Sequence, residues 1–307
     1  MEVADPRTEE HEVERNGALV DDPVLRAEPV ATHEVRGGGG VRLHVREWGD
    51  PDGPAILFVH GLSQCDLCWT KQLSGDLAGR HRIVTFDIRG HGLSERPPGL
   101  EPYADGRLWA DDLAAVIRET ALDRPVVVAW SYGGFIVTDY LRAYGDADLS
   151  GINLVGGATI LRPPTFDHLG PGLLDNAQEM CALDLRTNIA AIRRFLRACT
   201  AQPLERDEWA IALCWNMVVP PEVRGALIAR EIDGDDALSS LSVPVLVSHG
   251  RDDAIVLPSM AEHVLGACEP AVASWYDGVG HMPFWEAADR FDDELGAFVA
   301  QAREAAS

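Results

Sequence analysis

Val-Val-Val-Ala-Trp-Ser-Tyr-Gly-Gly, residues 126–134, is the stretch that decides how this chain folds. An uninterrupted apolar run is typical of a short strand that is buried on both faces. The glycine pair predicts a sharp turn into a helix, which would hold the Oγ of Ser131 above the edge of a sheet. Backbone N–H groups at the start of that helix would stabilise an anion formed there. Ser131 is therefore the candidate nucleophile, and a serine that merely caps a helix is the alternative.

Strands and helices alternate on both sides of this stretch. Strands are predicted at residues 41–48, 55–59, 82–87, 125–129, 151–155, 244–247 and 271–276, and helices at residues 109–120, 135–144 and 283–303. This alternation indicates an α/β protein with a mainly parallel sheet that helices cover on both faces.

The pattern divides the chain into three parts. Residues 1–36 are acidic and lack sustained periodicity, so we expect a disordered tail. Residues 37–158 and 241–307 would form the α/β core. Residues 159–240 break the alternation, because they contain helix-like stretches and no recognisable strand. We interpret this segment as a helical lid inserted between two strands of the core.

Composition excludes several classes of protein. A formal charge of -23 over 307 residues argues against a nucleic-acid partner, which would need clustered basic residues. No apolar run is long enough to span a membrane, and the first residues lack the apolar core of a signal peptide, so a cytoplasmic location is expected. Cys65 and Cys68 form a lone C-x-x-C without a second pair, so we expect reduced thiols and neither metal nor cofactor.

Three motifs in order make the chain resemble the α/β-hydrolase family over residues 41–303. The corner at Ser131 is similar to the family's G-x-S-x-G, with Ala129 at the first position. Phe-Val-His-Gly-Leu-Ser, residues 58–63, looks like the strand that ends in the oxyanion loop. The family's D-x-R-G-x-G-x-S loop is similar to residues 86–94, which read Phe-Asp-Ile-Arg-Gly-His-Gly-Leu-Ser.

The resemblance implies a mostly parallel sheet of the eight-stranded type, flanked by helices. It also implies that the backbone N–H groups of Leu62 and Tyr132 form an oxyanion hole. His91 and Arg89, in the loop of residues 86–94, are expected to support the structure rather than to take part in the chemistry.

A serine hydroxyl needs a base, and the base needs a carboxylate to orient it. His281 lies in Asp-Gly-Val-Gly-His-Met-Pro-Phe-Trp-Glu, residues 277–286, after the last predicted strand, where the family carries its catalytic histidine. The strand at residues 244–247 leads into His-Gly-Arg-Asp-Asp, residues 249–253. The family's spacing after the glycine selects Asp253 over Asp252. The chain order Ser, Asp, His is that of this fold.

The resemblance to serine esterases and metal-free haloperoxidases implies hydrolysis of a carboxylic ester or lactone through an acyl-enzyme. The substrate would be small to medium and mainly uncharged. Enzymes of this fold with an aspartate nucleophile are disfavoured because position 131 is serine. A carbon–carbon bond hydrolase or a perhydrolase on the same triad remains an alternative. So does a ligand receptor that retains the triad without turnover.

The lid should set specificity, and aromatic residues near the site are candidate pocket walls. They are Trp69, Trp130, Phe135, Trp209, Trp215 and Phe284. For each of them a place in the core is the favoured alternative, because aromatic side chains at helical spacing usually pack. The partner expected is a small-molecule substrate, and the sequence leaves the oligomeric state open.

Overall fold

The computed structural model describes residues 27–161 and 165–306, and its centre is an eight-stranded sheet in the order β1-β2-β4-β3-β5-β6-β9-β10. These strands are β1 (Ala31–Arg36), β2 (Arg42–Gly49), β3 (Ala55–Val59), β4 (Arg82–Phe86), β5 (Val126–Trp130), β6 (Gly151–Val155), β9 (Val245–Gly250) and β10 (Ala271–Tyr276). Strand β2 runs antiparallel to both neighbours, and the other pairs are parallel. Every residue of β3, β5 and β6 is buried, as their continuous apolar sequences predict.

Helices flank this sheet, which confirms the predicted fold class. Those of the core are α1 (Thr70–Ser74), α2 (Glu101–Ala104), α3 (Gly106–Glu119), α4 (Gly133–Tyr144), α10 (Asp235–Ser239), α11 (Pro258–Ala267), α12 (Pro283–Glu286) and α13 (Ala288–Ala305). The predicted closing helix is divided into α12 and α13 because Ala287 leaves the helical conformation, with φ -134°. None of the helices in the described part of the chain is both long and apolar enough to cross a membrane.

A helical segment lies between β6 and β9. It contains α5 (Pro171–Leu174), α6 (Ala177–Met180), α7 (Leu185–Ala198), α8 (Arg206–Val218) and α9 (Pro221–Ile228), and we call residues 165–230 the cap. Although α10 lies within the predicted lid of residues 159–240, it packs against α4 and α11 of the core. Two short strands that the sequence analysis did not anticipate, β7 (Ile160–Leu161) and β8 (Ile232–Asp233), pair antiparallel where the chain enters and leaves it. Strands of two residues are too short to show alternation, which is why the sequence pattern missed them.

The expectation of a disordered tail up to residue 36 is wrong for residues 31–36. They form β1, which pairs antiparallel with β2 at one edge of the sheet. Only Val35 of this strand is buried, because an edge strand with one face in water can carry polar residues at its other positions. Residues 1–26 of the expected tail lie outside the described part of the chain.

Two arginines of equal burial differ in how their guanidinium groups are satisfied. Arg89, after β4, donates to both carboxylate oxygens of Asp112, at 2.6 and 2.7 Å, and to three backbone carbonyls. Arg224, on α9, donates to Asn188 Oδ1 at 3.1 Å, and its Nε and Nη1 have no partner among the described residues. Burial lowers the pKa of Arg224 to about 10. Arg89 therefore joins the 86–94 loop to α3, whereas Arg224 is a poorly compensated buried charge.

The same substitution at these two arginines should have different effects on stability. Arg89→Met should lower the free energy of unfolding by about 3–5 kcal/mol, because it leaves Asp112 buried without its partner. Arg224→Met should leave that free energy unchanged or raise it, because it removes a desolvated charge without orphaning a carboxylate. Urea unfolding of both variants and the wild type measures the difference. Equal destabilisation by the two substitutions would contradict this account.

Candidate active site

The turn between β5 and α4 holds Ser131 in a left-handed backbone conformation, with φ 54°. A non-glycine residue adopts this region only where its surroundings enforce it, at a cost of about 1–3 kcal/mol. Hydrogen bonds on both sides of the serine provide that support. Ser131 N donates to Val155 O at 3.1 Å, and Ser131 O accepts from Ala158 N and Gly134 N, each at 3.0 Å. The candidate nucleophile is thus fixed by the end of β6, the residues that follow it and the first turn of α4.

Glycines around the serine allow the backbone to pass close by. A Cβ atom on Gly133 would lie 2.6 Å from Val59 O, and one on Gly134 would lie 2.5 Å from Ala158 O. A Cβ on Gly61 would lie 2.9 Å from the Cβ of Ser131 itself. The glycine pair after the serine therefore serves close packing, and α4 begins at Gly133 rather than at the predicted residue 135.

Asp253 and His281 are joined by a short buried hydrogen bond. His281 Nδ1 lies 2.7 Å from Asp253 Oδ2, and both side chains are almost fully buried. The other oxygen of Asp253 accepts from Ile255 N at 2.8 Å and from Val256 N at 3.0 Å. With a proton on Nδ1 donated to the carboxylate, Nε2 of the imidazole is free to accept one. Asp252 is exposed and takes no part in this arrangement.

The loop that carries His281 is anchored at several points. His281 N donates to Cys199 O at 2.9 Å, and Trp130 Nε1 donates to His281 O at 2.9 Å. Glu286 accepts from Gly280 N at 2.8 Å, on the residue before the histidine. Trp130 directly precedes Ser131 in the chain, so one indole connects the histidine loop to the serine corner. Among the described residues, Ser131 Oγ forms no hydrogen bond with His281, a contact that often closes only around a substrate.

Gly156 and His249 complete the surroundings of this pair, and the sequence analysis selected neither. Gly156 has φ 47°, and a Cβ there would lie 3.0 Å from His281 Nδ1 and 3.2 Å from Asp253 Oδ2. His249 Nε2 lies 2.9 Å from Val256 O and 3.4 Å from Asp253 Oδ2. The glycine directly after β6 was the available signal, since a glycine there suggests a close backbone approach.

Two backbone N–H groups beside Ser131 are available to a ligand. The amides of Leu62 and Tyr132 donate to no acceptor in the part of the chain that the structure describes. Leu62 and Ser131 line the same cavity, as does Tyr132. Two N–H groups flanking a serine are the arrangement that stabilises a tetrahedral oxyanion.

Two buried histidines shape the loop around Leu62. His60 Nδ1 donates to Gly61 O at 2.9 Å and its Nε2 accepts from Ile88 N at 3.1 Å. His91 Nε2 accepts from Ser63 N at 3.0 Å. Burial lowers the pKa of His60 to about 4 and that of His91 well below its ordinary value. Both imidazoles are therefore neutral near pH 7, so each has one nitrogen that accepts a hydrogen bond from the backbone.

A cavity of about 170 Å³ opens from Ser131 between the core and the cap. The core contributes Leu62, Ser131, Tyr132, Phe135 and Ile255 to its wall, among others. The cap contributes Phe166, Leu169, Leu173, Phe195 and Ile228, among others. None of the described residues that line it carries a charge, so the cavity suits an apolar group.

Of the six aromatic residues expected as pocket walls, Phe135 lines this cavity and the other five do not. The rings of Trp69, Trp130 and Phe284 pack together in the core, with centroids 4.3 to 6.2 Å apart. Trp215 Nε1 donates to Gln64 Oε1 at 2.7 Å, and Trp209 lies under the guanidinium of Arg197. The expectation was wrong for these five because four of them pack against other aromatic rings, and Trp209 packs against the guanidinium of Arg197.

Cys65, Asp66 and Asp87 are the one cluster of metal-ligating side chains in the described part of the chain. Their donor atoms lie within 4.8 Å of one another, and both carboxylates have partners within the protein. Asp87 accepts from Asp66 N at 2.9 Å and from Leu93 N at 2.8 Å. Asp66 pairs with Arg46 at 2.7 Å. The two carboxylates therefore support the loop after β4.

The chain belongs to the alpha/beta hydrolase family, whose model matches residues 56–294. A crystal structure of a provisionally assigned aryl esterase from Burkholderia cenocepacia is 34% identical, with a TM-score of 0.85, over 89% of this chain and 100% of that one. The esterase RhEst1 from Rhodococcus sp. ECU1013 is 32% identical, with a TM-score of 0.83, over 88% and 98% of the two chains. These relatives and the fold support hydrolase activity.

Curated relatives match this chain over very different shares of its length. A non-heme haloperoxidase from Rhodococcus erythropolis is 26% identical over 86% of this chain and 98% of its own length. EphD of Mycobacterium tuberculosis, provisionally described as an oxidoreductase, is 38% identical over 131 residues, so the match spans 21% of its length. That match covers 42% of this chain, and the activity of the whole EphD protein is not transferred to this chain.

Two buried groups near the site should change stability with pH in opposite directions. Because the folded pKa of His60 is about 4, the unfolded chain binds an extra proton between about pH 4 and 6.5, and stability from this group falls as the pH falls. Burial raises the pKa of Asp87 to about 7, so the folded chain binds the extra proton between about pH 4 and 7, and stability falls as the pH rises.

We expect His60→Gln to make the slope of unfolding free energy against pH more negative, and Asp87→Asn to make it more positive. Each change should reach up to about 1.4 kcal/mol per pH unit. Urea unfolding at intervals from pH 4.5 to 6.5 measures the slopes, with the wild type as reference. Slopes that are the same in all three proteins would show that neither group has a displaced pKa.

Proposed function

We propose that the protein is a serine hydrolase that cleaves carboxylic esters or lactones through an acyl-enzyme. In this proposal Ser131 is the nucleophile, His281 the general base and Asp253 the acid that orients it. The observation that carries it is the buried 2.7 Å hydrogen bond between Asp253 and His281, on a loop tied to the residue before a strained serine. Strain, an oriented imidazole and two free N–H groups at one place suit acyl transfer better than ligand binding alone.

The reaction has two steps. His281 Nε2 accepts the hydroxyl proton of Ser131 as Oγ attacks the substrate carbonyl, and the N–H groups of Leu62 and Tyr132 donate to the resulting oxyanion. His281 then gives that proton to the leaving alkoxide, which departs as an alcohol and leaves the acyl group on Ser131. In the second step water attacks the acyl carbon, His281 takes a proton from it and returns that proton to Ser131 Oγ as the acyl–oxygen bond breaks, and the carboxylic acid is released. Asp253 stays ionised and stabilises the imidazolium.

The cavity supports an uncharged acyl or aryl group as the part of the substrate that is recognised. A cavity of about 150 Å³ lined by Leu, Ile and Phe holds benzene, so the volume beside Ser131, about 170 Å³, suits a phenyl ring or a short acyl chain. A charged group would be desolvated there without a partner. The esterases among the relatives are consistent with this substrate class.

Hydrolysis of p-nitrophenyl acetate, butyrate, octanoate and benzoate tests the proposal. A p-nitrophenyl ester with a free carboxylate on its acyl chain serves as the charged comparison. The wild type should prefer butyrate or benzoate, and should turn over the charged ester at least tenfold more slowly because its carboxylate would be desolvated. Fastest turnover of the charged ester would contradict the assignment of the cavity.

Three variants connect this turnover to the proposed residues. Ser131→Ala should abolish it, and Asp253→Asn should lower kcat by about 10⁴-fold, because the wrong tautomer of His281 is then favoured. Asp252→Asn is the matched control, since Asp252 is the exposed neighbour, and it should stay within about twofold of the wild type. Turnover that survives Ser131→Ala would refute the mechanism.

A further inference from the structure

A buried ion pair joins the end of the cap to the helix that begins beside Ser131. Arg230, two residues after α9, donates from Nη2 to Asp139 Oδ2 on α4 at 2.6 Å, and both side chains are almost fully buried. Gly106 makes room for this pair, because a Cβ there would lie 2.4 Å from Asp139 Oδ1 and 3.3 Å from Arg230 Nη2. A buried pair of this kind contributes little net stability, because the cost of desolvation offsets the attraction between the charges. The role of the pair therefore lies in the groups that it orients.

The same guanidinium also holds the side chain of Tyr132. Arg230 Nη1 donates to the Tyr132 hydroxyl at 3.3 Å, and that hydroxyl donates to Leu227 O, on α9, at 3.4 Å. The guanidinium lies over the rings of Trp109 and Tyr132, at 5.5 and 6.0 Å from their centroids. The Tyr132 side chain is therefore held at its hydroxyl end by two groups at the exit of the cap.

Tyr132 has two other tasks at the proposed site. Its backbone N–H is one of the two groups available to the oxyanion, and its side chain lines the cavity beside Ser131. Ile228, two residues before Arg230, also lines the cavity. A group that fills the cavity thus touches Tyr132, which Arg230 contacts, and also Ile228, which lies in the same cap segment as Arg230.

We propose that Arg230 is a positioning residue that links the cap to the oxyanion hole through Tyr132 and Asp139. This inference rests on the proposed function and extends it, because it assigns to the cap a part in transition-state stabilisation as well as in the shape of the pocket. The guanidinium is suited to this task because its rigid fork donates to Asp139 and Tyr132 at once, which the single ammonium of a lysine cannot do with the same geometry. Loss of the contact should affect the step in which charge develops on the oxyanion more than the binding of the ester.

The test uses a double variant, because a single substitution would leave one buried charge without a partner and could unfold the protein. Arg230→Met combined with Asp139→Leu replaces the pair by apolar groups and should keep the midpoint of thermal unfolding close to that of the wild type. With p-nitrophenyl butyrate, its kcat should fall tenfold or more while KM changes by less than threefold. Arg230→Lys, which keeps the charge, should recover part of kcat.

Arg142→Met is the matched control. Arg142 also lies on α4 and pairs with Asp236, on α10, but that pair is exposed at the surface. Its loss should leave kcat and KM within about twofold of the wild type. A double variant that folds and keeps the wild-type kcat would overturn the inference, as would an equal loss of kcat in Arg142→Met. A wild type without ester turnover would instead defeat the proposed function itself, so the two failures are distinguishable.

Discussion

The left-handed backbone at Ser131 is the constraint on which the rest of the site depends. A β-strand that turns into a helix within one residue cannot keep that residue in an ordinary region of backbone conformation, and about 1–3 kcal/mol of strain results. The end of β6, the residues after it and the first turn of α4 supply the hydrogen bonds that hold the turn, and Gly61, Gly133 and Gly134 let neighbouring groups approach it. The core of the sheet thus supports a serine whose position a flexible loop could not maintain.

Two buried arginine–aspartate pairs lie outside the uncharged lining of the cavity. The cavity wall is apolar, and the buried pairs Arg230–Asp139 and Arg89–Asp112, at the end of the cap and at the 86–94 loop, do not line it. His60 and His91 are buried as neutral rings that accept hydrogen bonds from backbone N–H groups. An apolar cavity with fixed dipoles at one end is a low-dielectric setting, in which each donor to a developing oxyanion acts more strongly than it would in water.

The sequence predicted most of the sheet because buried parallel strands are continuous apolar runs, as at β3 and β6, and their bounds agree residue for residue. It missed β1, whose outer face is in water, and β7 and β8, which are too short for any period. The choice of Asp253 over Asp252 agrees with the geometry, since the family's spacing after the glycine places the acid opposite His281. The residues that line the pocket were harder to predict, because the sequence does not distinguish a tryptophan that packs against another ring from one that lines a cavity. Nor could spacing reveal the contact of Arg230 with Asp139, which lie 91 residues apart.

Covalent labelling at the nucleophile tests the central claim most directly. The protein would be treated with a fluorophosphonate ester, and the modified peptide identified by mass spectrometry after digestion at arginine. The account predicts one adduct per chain, on Ser131, and slower labelling of a His281→Gln variant because the hydroxyl then lacks its base. An adduct on another serine, or labelling of Ser131 at the same rate without His281, would contradict the assignment of these residues.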